Sequence, residues 1–144
     1  MIALQPIHTD HALYLFVEKL LQSAFPKDER RDDAQQRAYT DRNPKFHCLL
    51  IRDFDQPVGL LTYWDFADFV YIEHFAIHEN LRNGGLGQQA MRMFLQQTDC
   101  YTKNIIKVKR VILFQTGLVF LISFCNVKQS QIVCFFSPFQ QLIR

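Results

Sequence analysis

Residues 75–91 read FAIHENLRNGGLGQQAM, and the reading of this stretch decides the fold class. A β-prone run, FVYIEHFAI over 69–77, ends at Ile77. A loop with Gly84, Gly85 and Gly87 follows. Helical spacing then begins at once, with Leu86, Ala90, Met93 and Phe94 on one face of a segment predicted over 86–97. Strand, glycine loop and helix in that order form an anion cradle. The first backbone N–H groups of a helix have no internal partners, and the helix dipole adds partial positive charge there. Glycines let the chain approach a phosphate closely, and Arg82 adds a charge-assisted contact. The loop is not a P-loop, because no Gly-Lys-Ser/Thr follows, and the order GGLGQQA is not G-x-G-x-x-G. A plain turn before a helix stays open as the alternative.

Upstream, 46–52 (FHCLLIR) and 58–64 (VGLLTYW) read as two strands joined by the turn residues DFDQP. Residues 2–7 (IALQPI) read as an edge strand with Pro6 near its end. Leu13, Phe16, Val17, Leu20 and Leu21 repeat at helical spacing, with Thr9 or Asp10 as the expected cap and Pro26 beyond the end. The charge cluster KDERRDD (27–33) is expected as a solvated face, with a substrate-facing loop as the alternative, and a short helix runs on through Tyr39. The expected class is mixed α/β: a mostly antiparallel central sheet flanked by helices.

The whole chain of 144 residues is read as one domain. Sixteen Lys and Arg against fourteen Asp and Glu leave no chain-wide basic footprint for nucleic acid. The average hides a break. Residues 1–99 hold every acid and carry a net charge of −4, whereas 100–144 hold six basic residues and no acid. The four cysteines lack Cys-x-x-Cys spacing, so they form neither a zinc site nor a disulfide framework. Free thiols and an N-terminus interrupted by His8, Asp10, His11 and Glu18 make a cytoplasmic protein without a signal peptide the expectation.

Arg82-Asn83-Gly84-Gly85-Leu86-Gly87 fits Arg/Gln-x-x-Gly-x-Gly/Ala directly after Glu73-His74-Phe75-Ala76-Ile77. This resembles the acyl-CoA-binding motif of the GNAT N-acetyltransferase superfamily. The order of elements over residues 2–98 is similar too, and Ala24-Phe25-Pro26-Lys27-Asp28-Glu29-Arg30-Arg31 looks like the loop between the first two helices of some members. The resemblance implies acetyl-CoA as co-substrate, held in a gap beside the fourth strand. Backbone groups of Phe75, Ala76 and Ile77 would pair with the pantetheine arm. Arg82, Asn83, Gly84, Gly85, Leu86 and Gly87 would wrap the pyrophosphate. The second partner would be an amine acceptor, and a homodimer stays open.

Aminolysis of a thioester needs a neutral amine, a placed carbonyl and a proton acceptor, with no metal. Glu73 is the candidate base, at a position where several family members place a glutamate; a bland surface carboxylate is the alternative. Strict strand alternation puts Tyr71, Glu73 and Phe75 on one face and Ile72, His74 and Ala76 on the other. His74 and His78 do not converge on a metal from a strand, so no metal site is expected. His74 reads as a packed histidine, and His78 as a residue near the strand end that could touch substrate. Tyr63 and Trp64 read as core aromatics, with the acceptor pocket as the alternative.

Residues 99–144 depart from the family pattern, which continues with a Phe-Tyr-bearing helix and a Gly-Phe strand. Tyr101 stands outside that context. The C-terminal portion is therefore expected to be aberrant or incomplete. It is a divergent set of strands, a membrane segment over Val111–Val127, or the product of a reading-frame change near residue 99. Gln115, Thr116, Ser123 and Asn126 interrupt the apolar run and argue against the membrane. The functional expectation is transfer of an acetyl group from acetyl-CoA to a primary amine. The alternative is a non-catalytic remnant that binds CoA or serves as an interaction module.

Overall fold

The computed structural model describes residues 1–66 and 69–98 and the backbone of 105–108. The elements are β1 (Ile2–Pro6), α1 (Tyr14–Ala24), α2 (Asp33–Arg42), β2 (Phe46–Asp53), β3 (Gln56–Asp65), β4 (Phe69–Ile77), α3 (Leu86–Gln97) and β5 (Ile105–Val108). Single 3-10 turns occupy Lys27–Glu29 and Glu79–Leu81. The strands form one sheet in the order β1-β2-β3-β4-β5. The first four run antiparallel to their neighbours, and β5 runs parallel to β4. The expected mixed α/β class with a mostly antiparallel sheet is what forms.

Both faces of the sheet are covered, which is why β2, β3 and β4 read as near-continuous apolar runs. On one face α3 inserts Ala90, Met91, Phe94 and Leu95 among Leu49, Ile51, Leu61, Ile72, Phe75 and Ile77. On the other, α1 packs Val17, Leu20 and Leu21 against Cys48, Leu50, Leu60 and Ala76. Each fully buried Val, Leu, Ile or Phe among them stabilises the fold by about 1.5–3 kcal/mol. A bidentate ion pair from Arg37 to Glu18, both bonds 2.7 Å, joins α2 to α1.

Three local expectations need correction. The helix expected from Thr9 or Asp10 begins at Tyr14, with Leu13 as its uncapped first boundary. Thr9 instead gives its N–H and hydroxyl to Asp41, whose carboxyl these bonds hold below its usual range. The DFDQP turn tightens to Phe54-Asp55, because Phe54 takes a left-handed φ of 50° and the strands extend to meet it. The third concerns β4. Thr62 pairs with His74 but Tyr63 pairs with Ile72, so Glu73 is an extra residue at a β-bulge. The bulge resets the alternation. Ile72 joins Phe75 in the α3-side core, and Glu73 turns away from Phe75 toward the α2 side with His74.

Among the described residues, no helix is long and apolar enough to cross a membrane. The readings offered for Val111–Val127, Tyr101 and the rest of the tail beyond Val108 lie outside the described residues.

Candidate functional site

The β4–α3 connection is built as an anion cradle requires. α3 starts at Leu86 with Gly85 as its N-cap, so no side chain caps it, and no acidic residue lies in its first turn. Gly85 has φ +74°, which explains a glycine at that point. Asn83, not a second glycine, supplies the other left-handed residue, at φ 75°. Asparagine tolerates that region better than most side chains. A Cβ built on Gly84 meets nothing within 4 Å, so the loop faces open space. Asn83, Gly84 and Gly85 are exposed, while Gly87 is buried in the first turn of α3. Arg82 Nε donates to the carbonyl oxygen of Ile77 at 2.9 Å and clamps the loop to the end of β4. Arg82, His78 and Glu79 also border a cavity of about 550 Å³, closed on its other side by Leu20 and Ser23–Pro26 at the end of α1.

The edge of β4 changes character along its length. β5 pairs with Phe69–Ile72, and the described pairing runs to the Ile72–Val108 pair. Among the described residues, no strand lies against Glu73–Ile77 on that side. Phe75, Ala76 and Ile77 therefore lie past the end of the described parallel pairing, next to the glycine loop. Their side chains are fully buried and fix the strand in place.

At the bulge, Glu73 is 8% exposed and fully engaged. Arg31 Nη2 donates to both carboxylate oxygens, at 2.8 and 2.7 Å. Trp64 Nε1 adds a third bond at 3.2 Å. The Arg31 guanidinium lies 4.7 Å from the Tyr39 ring centre, 5.1 Å from Phe46 and 5.6 Å from Trp64. Its Nη1 donates to Gln36 Oε1 at 3.1 Å. The buried amide nitrogen of Gln36 has no partner.

The charge cluster 27–33 thus divides: Lys27, Asp28, Asp32 and Asp33 face solvent, and Arg31 turns inward. Sequence reasoning missed Arg31, Gln36 and Tyr39. The one signal was the Ala24–Arg31 segment, and nothing in it says which arginine points in. Of the aromatic pair, Tyr63 packs edge-on against Phe94 at 4.9 Å, while Trp64 stands in the Arg31 box.

The histidines separate likewise. His74 is 2% exposed and meets Phe25 edge-on at 4.7 Å, as expected of a packed residue. Its Nε2 bonds the Glu29 carbonyl at 3.2 Å and its Nδ1 bonds Thr62 Oγ1 at 3.0 Å. A carbonyl only accepts, so Nε2 carries a hydrogen, and in the neutral ring Nδ1 accepts from the Thr62 hydroxyl. His78 directly follows β4, stacks on Phe16 at 6.1 Å and borders the cavity.

Comparison with known proteins bears on the family and the fold. The sequence model of the acetyltransferase (GNAT) family matches residues 14–108. A solved GNAT-family protein from Bacteroides thetaiotaomicron is 42% identical, with a TM-score of 0.66 over 74% of this chain and 58% of that one. The chain therefore spans little more than half the length of that relative. A Bacillus subtilis acetyltransferase solved with CoA is 15% identical, with a TM-score of 0.54, 75% of this chain covered and 64% of that one. A ribosomal-protein-alanine N-acetyltransferase from Brucella melitensis is also 15% identical, with a TM-score of 0.58, and the match covers 78% of this chain and 82% of that one. At such identities the last two speak for the fold alone. No curated protein matches.

Proposed function

From a chain that belongs to the GNAT acetyltransferase family, we propose transfer of an acetyl group from acetyl-CoA to a primary amine. The observation that carries this reading is the β4–α3 unit. It joins a strand edge without a described partner over Glu73–Ile77, an open loop with left-handed Asn83 and Gly85, and a helix start free of side-chain caps and acids. The open space over Gly84 fits a pyrophosphate, which needs backbone N–H groups and room rather than side chains. In this reading Phe75, Ala76 and Ile77 offer backbone groups to the pantetheine arm, and Arg82 through Gly87 surround the pyrophosphate.

The chemistry is then simple to balance. The amine nitrogen bonds to the acetyl carbon, the carbon–sulfur bond breaks, and the nitrogen gives up a proton. Glu73 is the proposed proton acceptor, and the CoA sulfur leaves with the electron pair. Glu73 lies at the bulge two residues before the strand edge assigned to the cofactor, which supports this role. Arg31 holds both of its oxygens in this state, so the carboxylate takes up the proton only after releasing one of them.

Isothermal titration with acetyl-CoA, followed by thiol release in the presence of a panel of amines, tests the proposal. Saturable binding and amine-dependent thiol release are expected. Binding without release for any amine supports a non-catalytic CoA-binding module instead. Absence of binding overturns both.

A further inference from the structure

Of the five asparagines in the chain, Asn83 alone is followed by a glycine. The other four precede Pro44, Leu81, Ile105 and Val127. Asparagine is a chemically labile residue. Its lability comes from the backbone nitrogen of the next residue, which attacks the side-chain amide carbon. A side chain on that next residue hinders the approach, and glycine has none. We propose that Asn83–Gly84 is a self-modifying site. The Asn83 amide cyclises and hydrolyses to an acid, and the new carboxylate shuts the glycine loop to acetyl-CoA. The modification stands on the loop geometry alone, whereas its effect on acetyl-CoA rests on the acetyl-transfer reading.

Four features support it. Asn83 and Gly84 are both exposed, so water and hydroxide reach them. Among the described residues, neither the Asn83 side chain nor the Gly84 N–H makes a hydrogen bond, so no bond holds the reacting groups in other positions. The contrast is Asn80, where the following Leu81 N–H is tied to the His78 carbonyl at 2.9 Å. A Cβ built on Gly84 meets nothing within 4 Å, which leaves room for a five-membered ring to form. Finally, α3 begins two residues later with no acid in its first turn. Its partial positive charge favours the anionic amide nitrogen that starts the reaction, and the carboxylate that ends it.

The steps balance with water as the sole co-reactant. The Gly84 N–H gives its proton to a solvent base, and its nitrogen bonds to Cγ of Asn83. The Cγ–Nδ2 bond breaks, and Nδ2 takes a proton from water and leaves as ammonia. Water then adds to one of the two ring carbonyls. Opening one way gives aspartate. Opening the other way gives isoaspartate, with an extra methylene in the backbone. Either product sets a negative charge where the pyrophosphate is proposed to sit, and like charges repel there. The same charge suits the start of a helix, so the domain stays folded while the loop changes its preference.

The test follows the full chain in mildly alkaline buffer by peptide mapping with mass spectrometry. A free peptide of residues 79–89 and the G84A variant are treated alongside. Asn83 should convert before any other amide of the chain, to a mixture of aspartate and isoaspartate, and G84A should stay intact over the same period. An intact Asn83 in the folded chain when the free peptide has converted overturns the proposal. So does conversion of G84A as fast as the parent, because the Gly84 nitrogen would then not be the attacking group. The converted chain, separated by ion exchange, is next titrated with acetyl-CoA beside the unconverted chain and N83D. Both acidic forms should bind about tenfold or more weakly than the parent, with circular dichroism unchanged and melting temperature equal or higher. Equal affinity overturns the proposed switch, and so do acidic forms that have lost their fold. An unconverted chain that binds no acetyl-CoA defeats the acetyl-transfer reading instead, and peptide mapping still decides the modification.

Discussion

Replacing Gly84 with alanine should move stability and ligand affinity in opposite directions. The backbone at Gly84 does not lie in the left-handed region, unlike Gly85, and an added Cβ meets nothing within 4 Å. The folded state therefore accepts the methyl group, while the unfolded chain loses freedom. This stabilises by about 0.4–1 kcal/mol, a rise in Tm of a few degrees. The same methyl group occupies the open space assigned to the pyrophosphate. Losing one charge-assisted bond there costs about 1.5–3 kcal/mol. Acetyl-CoA affinity should fall by roughly 10- to 100-fold, since about 1.4 kcal/mol corresponds to a factor of ten. Thermal melting reads the first effect and isothermal titration the second. A G84A variant that melts higher and binds acetyl-CoA as tightly as the parent would refute the placement of the pyrophosphate. Gly85→Ala is the internal control: at φ +74° it should lose about 1–2 kcal/mol of stability instead.

Other outcomes follow from the same contacts. Glu73→Gln should lower amine-dependent thiol release by about two orders of magnitude with acetyl-CoA affinity nearly unchanged. It should also cost stability of about 3 kcal/mol, because the Arg31 charge keeps no anionic partner. Phe94→Ala empties the fully buried contact between α3, Tyr63 and the sheet, and chemical denaturation should show a loss of about 3–5 kcal/mol. Thr9→Val removes the hydroxyl that holds the Asp41 carboxyl low. A lowered carboxyl stabilises above its unfolded range and loses that contribution as pH falls through its lowered folded-state range, so parent and T9V should differ at neutral pH and converge once the Asp41 carboxyl is protonated. Burial pushes the Cys48 thiol up to about 12, so peptide mapping after alkylation at pH 8 should show Cys48 unmodified in the native protein.

How much of this was legible in the chain differs from one element to the next. β2, β3, β4 and α3 were readable because their patterns are local: apolar runs bounded by turn residues, and one helical stripe. The strand–loop–helix unit was readable for the same reason, since strand, glycines and helix start are contiguous over 69–97. Even there, which residue takes the left-handed conformation was not; Asn83 shares that task with Gly85 because the turn, not the glycine count, sets it.

The candidate acceptor side was hidden. Alternation placed Glu73 with Phe75, but a bulge is a property of two paired strands, and Thr62 and Tyr63 decide it from a segment twelve residues away or less. Nothing local distinguishes Arg31 from Arg30 either. The inward turn of Arg31 depends on Glu73, Trp64, Phe46, Tyr39 and Gln36, which come from four different elements. Charge and ring contacts act through space, so only the folded sheet brings them together. The sequence by itself determined the class of fold and the glycine loop between β4 and α3, because hydrophobic periodicity and glycine placement act over a few residues. Tertiary structure alone decided the cation box at the bulge, because its parts become neighbours only after β3 and β4 pair and α2 packs across them.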